Sequence, residues 1–142
     1  MVIKPLPPGH FRCHLWLWSL LAITSLAVAG LFAGLLVLSR APGISEGVPW
    51  PENFFQKGLI AHVSLSFVVW FLAVFGALNT AIMPINNGRL HSLLGPLIER
   101  SAILLFAIGV VAILIPAFIN GGTPSLNNYI PVIISPLYYW GL

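Results

Sequence analysis

Charge is what this chain has least of. Only 6% of its residues are charged and 58% are apolar, against roughly 25% and 45–50% in an ordinary soluble domain. That balance excludes a soluble globular fold. The few cations also limit the choice of partner, because six Lys and Arg are scattered along the chain and form no basic stripe for nucleic acid. Cysteine is nearly missing. The lone Cys13 cannot close an intrachain disulfide, and without CxxC or CxxCH there is neither a thiol redox motif nor a c-type haem attachment site. Paired carboxylates, a Ser-His-Asp set, a phosphate-cradling glycine loop and a nucleophile elbow are all lacking too, so hydrolase and nucleotide chemistry have no support.

What remains is hydrophobic length. Three apolar runs, Leu15 to Leu38, Leu59 to Met83 and Ser101 to Ile119, approach or exceed the about 20 helical residues that cross a hydrocarbon core. The expected fold is an all-α integral membrane protein, a single membrane domain over residues 1–142. It has three transmembrane helices and an incomplete or interfacial fourth apolar segment, 129–142. Residues 1–14, with Lys4, Arg12 and three prolines, read as a short extended arm. The run that follows is too long for a signal peptide's apolar region, of about 7–15 residues, and lacks a small-x-small cleavage site, so it reads as a retained helix.

Trp16 and Trp18 mark the start of that helix at headgroup level, and Gly30 and Gly34 form a small-xxx-small pair suited to close helix packing. Residues 39–57 are a loop rich in proline and glycine, in which Pro51-Glu52-Asn53 signals a turn into the second helix. In residues 84–100, Asn86-Asn87-Gly88 is a turn signal and Leu90 to Ile98 suits an interfacial helical turn. Lys4, Arg12, Arg89 and Arg100 fall on one side, against Arg40 and Lys57 on the other. The positive-inside rule then puts the N terminus inside. Asn120 to Pro124 breaks the third run, and the apolar, aromatic stretch from Tyr129 reads as re-entrant or, preferably, as one piece of a longer architecture.

One histidine lies just within a span. His62 falls about one turn below the outer boundary if the second helix descends from Leu59 at 1.5 Å per residue. An ionisable group at that depth is a functional candidate, because it costs free energy without a partner. Ser66, Val69, Ala73 and Gly76 follow on or near its face, at offsets of four, seven, eleven and fourteen. Such small residues leave room for a flat macrocycle or for a close helix. Trp70, Phe71 and Phe75 point elsewhere. The plain alternative is a hydrogen bond from His62 to a neighbouring helix or to headgroup water. Zinc is disfavoured, since Cys13, His10, His14 and His91 belong to the opposite side and zinc wants three or four close ligands. Haem needs only one or two axial ligands. His10 and His14 read as solvated interfacial residues, and His91 as one more, with an anionic-lipid contact as its sharper reading.

Two stretches carry a resemblance. Phe54-Phe55-Gln56-Lys57-Gly58 followed by His62-Val63-x-Leu65-Ser66-x-x-Val69-Trp70-Phe71 resembles the second helix of the heme–copper oxidase catalytic subunit I (cytochrome c oxidase subunit 1-like), particularly its divergent cbb3-like branch. Leu126-Asn127-Asn128-Tyr129-Ile130-Pro131-Val132-Ile133 with Pro136-Leu137-Tyr138-Tyr139 is similar to the approach to the fourth helix there. The resemblance implies that His62 is an axial ligand of a low-spin haem of b or a type, with Ser66 lining the haem face. The family's remaining histidine ligands have no counterpart after His91. Another chain is then expected to bring the second axial ligand, and this one to be either the amino-terminal piece of a split subunit or a shortened paralogue. The implied setting is the bacterial cytoplasmic or mitochondrial inner membrane, with cytochrome c as a candidate electron donor. A non-catalytic scaffold subunit, packed through Gly30, Gly34 and Gly76, is the rival reading. A small transporter fits poorly, since no charge lies within a span and Pro116 is too near a span's end.

Overall fold

In the computed structural model, residues 9–82, 89–119, 122–127 and 131–142 are described. Helix α1 (Gly9–Leu38) is followed by a continuous helical rod made of α2 (Phe54–Val63), a π-helical turn (Ser64–Val69) and α3 (Trp70–Ile82). Helix α4 (Arg89–Phe118) comes next, then a small hairpin, β1 (Thr123–Ser125) with β2 (Val132–Ile134), and the short helix α5 (Pro136–Gly141). The architecture is mostly helical. Three helices, Arg12–Leu38, Phe54–Ile82 and Leu97–Phe118, are long and apolar enough to cross a membrane; they take in Arg12, Lys57, Glu99 and Arg100, so the expectation that no charge lies within a span does not hold.

Local sequence explains where the rods begin and end. α1 is helical from Gly9, the first residue described. The segment 9–14, expected as part of an extended arm, is therefore helical, and it carries His14 into the bundle. α2 begins after Asn53, which takes a left-handed φ of 57° at the turn. α4 begins well before the apolar run at Ser101: the turn expected at Leu90 to Ile98 is its first portion, continuous with the span. Beyond α4, Gly122 has φ +83°, and a Cβ there would lie 2.8 Å from the Ile134 carbonyl oxygen. Only glycine fits both demands, and the chain folds back through the antiparallel pairs Thr123 with Ile134 and Ser125 with Val132.

Each long helix turns one stripe inward. On α1 the buried residues are His14, Trp18, Ala22, Ser25, Ala29, Phe32 and Leu36, spaced by steps of four or three that keep one face on a neighbour. On α4 the stripe runs Ile103, Phe106, Val110, Ile113 and Ala117. On the middle rod Leu65, Val69 and Ala73 are buried. The outward faces stay apolar and bare, as Ile23, Leu31, Phe67, Phe71, Leu104 and Leu105 show. α4 is the least covered, with 17% of its spanning window buried against 28% for α1 and 39% for the middle rod.

Glycine permits two close approaches. A Cβ at Gly76 would stand 2.7 Å from the Trp18 indole, so α3 meets α1 there without a side chain between them. A Cβ at Gly109 would lie 2.8 Å from the Gly141 carbonyl oxygen, which brings α5 against the middle of α4. Gly30 and Gly34 take part in neither: both have open space around them.

Candidate functional site

The middle rod carries His62 near its hairpin end. The ring is half-buried, and its Nδ1 lies 2.8 Å from the Ala29 carbonyl oxygen of α1. A carbonyl only accepts, so Nδ1 holds the hydrogen and donates it. In the neutral ring Nε2 then carries the lone pair. No other protein partner of the ring is present among the described residues. Metal-bound histidines commonly take this form, with one nitrogen donating to a backbone carbonyl while the other ligates.

Just past His62 the helix widens into its π-helical turn. Ser64 Oγ meets the Tyr138 hydroxyl of α5 at 2.7 Å, and both residues are buried. Ser66 Oγ donates to the His62 carbonyl oxygen at 2.7 Å, so its hydroxyl is held by its own helix. The π turn makes this coherent, since it disturbs the regular backbone ladder and leaves carbonyls for hydroxyls to bond. Such turns recur at functional sites.

The small residues further along this rod are filled from within the chain. Ala73 is wholly buried in a cluster with Trp18 and Ala22, and Gly76 lies under the Trp18 indole. Of the two uses open to that face, it serves a close helix. Among the described residues Nε2 of His62 makes no hydrogen bond.

Two polar residues sit differently from expectation. Lys57, expected as a loop cation, is in α2 and 2% exposed, and its Nζ donates to the Ile119 carbonyl oxygen at 3.2 Å. It caps the end of α4, where carbonyls lack intrahelical partners and the helix dipole is negative. His14, expected as solvated, is buried: its Nδ1 lies 2.6 Å from Glu99 Oε2, and Thr80 Oγ1 donates to Glu99 Oε1. The spacing held the clue. His14 stands one turn before Trp18 on the stripe that includes Ala22 and Ala29, and Glu99 stands four before Ile103 on the α4 stripe. The side chains of His10 and His91 lie outside the described residues. Among the described residues no group of three or more His, Cys, Asp or Glu gathers to hold a metal ion.

Comparison with known proteins gives relatives without a stated role. The chain is 27% identical over 126 residues to an uncharacterized protein of Aquifex aeolicus, matching 89% of this chain and 29% of that one. It is 27% identical over 140 residues to an uncharacterized protein of Rickettsia prowazekii, matching 88% of this chain and 27% of that one. The chain thus spans under a third of the length of either relative. No family model matches it. No solved structure matches it either.

Proposed function

We propose that the chain is a membrane subunit of a respiratory terminal oxidase, in which His62 supplies one axial ligand to a low-spin haem. The observation that carries this reading is the hydrogen bond from Nδ1 to the Ala29 carbonyl, which leaves the Nε2 lone pair of the neutral ring free to ligate; the same bond is also the helix-to-helix contact that the plain alternative expects. The π turn after His62 and the motif around it support the same reading. Haem supplies one-electron transfer when bound. The chain's own contribution is to hold the imidazole through α1 and to fix the rod behind it through Ser64 and Tyr138. Another chain brings the second axial ligand and the oxygen-reducing centre. In this reading the N terminus is inside, and the hairpin end with His62 faces the outer side.

The rival reading, a scaffold subunit that binds no haem, also has an observation in its favour. Gly30 and Gly34 leave an open helix face, and the small residues after His62 accommodate Trp18. An optical spectrum of the purified complex with His62→Ala separates the two. Loss of the low-spin haem band is expected, while an unchanged band overturns the ligand role and leaves the scaffold.

A further inference from the structure

The inward stripes of three helices run out into polar residues at one level. On α1 the stripe reaches His14, on α3 it reaches Thr80 and on α4 it reaches Glu99. There the Glu99 carboxyl takes Thr80 Oγ1 on one oxygen and His14 Nδ1, at 2.6 Å, on the other. The His14 side chain is 5% exposed and that of Glu99 18%. The chain has only three acids, and the other two, Glu46 and Glu52, are exposed in the loop after α1. Glu99 is therefore the one carboxyl held inside the helix packing.

We propose that His14, Glu99 and Thr80 form a proton-exchange site that opens to the aqueous phase at this end of the bundle. In the proton-free state the site holds a neutral imidazole and a carboxylate, one negative charge in all. Hydronium from the aqueous phase gives a proton to His14 Nε2 and leaves as water, which makes imidazolium beside carboxylate and no net charge. Moving the Nδ1 proton along the 2.6 Å contact then breaks N–H and forms O–H on Glu99 Oε2. The products are neutral imidazole and neutral carboxylic acid, and no electron moves. Thr80 holds the other oxygen throughout and so keeps the carboxyl plane aimed at His14.

A purely structural clamp would not need two titrating groups. Amides and hydroxyls join membrane helices without the cost of a charge, whereas ionisable residues inside a span mark proton and ion sites. Between the cluster and the level of Ala29 and His62, about 22 Å along α1 at 1.5 Å per residue, the packing is Trp18, Ala22, Ala73 and Phe106. Ser25, the buried hydroxyl of α1 in that interval, donates to its own helix at Ala22. Among the described residues no run of polar side chains joins the cluster to His62, so the role proposed for it is to store a proton. Among the described side chains, Arg12 and Cys13 beside it on α1 and Arg100 on α4 are exposed; α3 contributes no titratable group, and the side chains of His10, Arg89 and His91 lie outside the description.

The test is infrared difference spectroscopy during pH jumps, on the full chain in phosphatidylcholine vesicles. As the pH is stepped, the wild type is expected to show paired imidazole and carboxyl bands. His14→Gln identifies the imidazole band by its loss. Glu99→Gln keeps the size of the side chain, with its oxygen accepting from His14 Nδ1 and its amide donating to Thr80 Oγ1 in reversal of the wild-type bond, and should fold with unchanged helix content. It is expected to abolish the carboxyl band and to displace the His14 midpoint. Thr80→Val, which leaves both titrating groups, should displace both bands together. Titration of His14 with the same midpoint in wild type and Glu99→Gln overturns the proposal. So does a wild-type spectrum with no carboxyl band.

Discussion

Ser64 and Tyr138 make a test of what one buried contact contributes. Each is almost wholly covered, and each satisfies the other's hydroxyl. A hydrogen bond formed between membrane helices adds little on average, about 0.6 kcal/mol. Orphaning a buried hydroxyl costs more, about 1–3 kcal/mol. Ser64→Ala alone is thus expected to destabilise the chain by about that larger amount. Adding Tyr138→Phe should recover much of the loss, because no orphan then remains. Unfolding in a detergent and denaturant series measures the cycle. If the double variant is as unstable as the sum of the singles, the hydroxyls are not partners. Lys57 offers a second case. Its amine, 2% exposed, meets the carbonyl end of α4, where helix-dipole and hydrogen-bond terms stabilise a cation by about 0.3–2 kcal/mol. Lys57→Met keeps the length and packing of the stem but removes the donor. A loss of about 1 kcal/mol is expected, read as a lowered thermal midpoint that added salt does not abolish, since the amine is shielded from solvent.

At the scale of the helices, glycines that look alike in sequence divide by geometry. Gly76 and Gly34 both sit in apolar helices, and replacing either by alanine gains about 1 kcal/mol of helix propensity. At Gly34 nothing lies within 4 Å of the new methyl, so Gly34→Ala is expected to be neutral or stabilising. At Gly76 the methyl meets the Trp18 ring at 2.7 Å, and overpacking of about 1–3 kcal/mol offsets the gain. Gly76→Ala should therefore destabilise, and Trp18→Leu in the same chain should relieve it. Equal midpoints for the two alanine variants would contradict the packing of α3 on α1. The three long helices were legible in the sequence because hydrophobic run length suffices to find them. Their inward faces were not, because every face of each rod is apolar and polarity no longer distinguishes lipid from protein. The same blindness hid His14 and Glu99: they are far apart in sequence, and their meeting depends on which stripe turns inward. His62 stood out because it lies within an apolar run. The π turn left no mark in composition, and the hairpin's β strands are too short to show a period of two.

The whole molecule presents more apolar surface than its own packing uses. α4 turns most of its length outward, and α1 leaves Gly30 and Gly34 uncovered. In a membrane such faces are stable against lipid, since lipid tails are as apolar as leucine, so their exposure alone demands nothing. A face with two open glycines one turn apart differs, because it lets a second backbone come close enough for dispersion and weak carbonyl contacts to accumulate. Both proposed roles, haem-bearing subunit and scaffold, require further helices. The relatives, of which this chain spans under a third, are long enough to carry them. Replacing Gly30 and Gly34 together by leucine tests whether this face receives such helices. A Cβ at either glycine meets nothing within 4 Å among the described residues, so the stability of the chain should change by no more than about 0.5 kcal/mol. The larger complex should lose the subunit on size-exclusion chromatography, and with it the low-spin haem band if His62 is a ligand. Gly76→Leu provides the contrast, since it should unfold the chain before it disturbs assembly. A complex that keeps its size and spectrum with both leucines in place would move the contact surface to the bare face of α4.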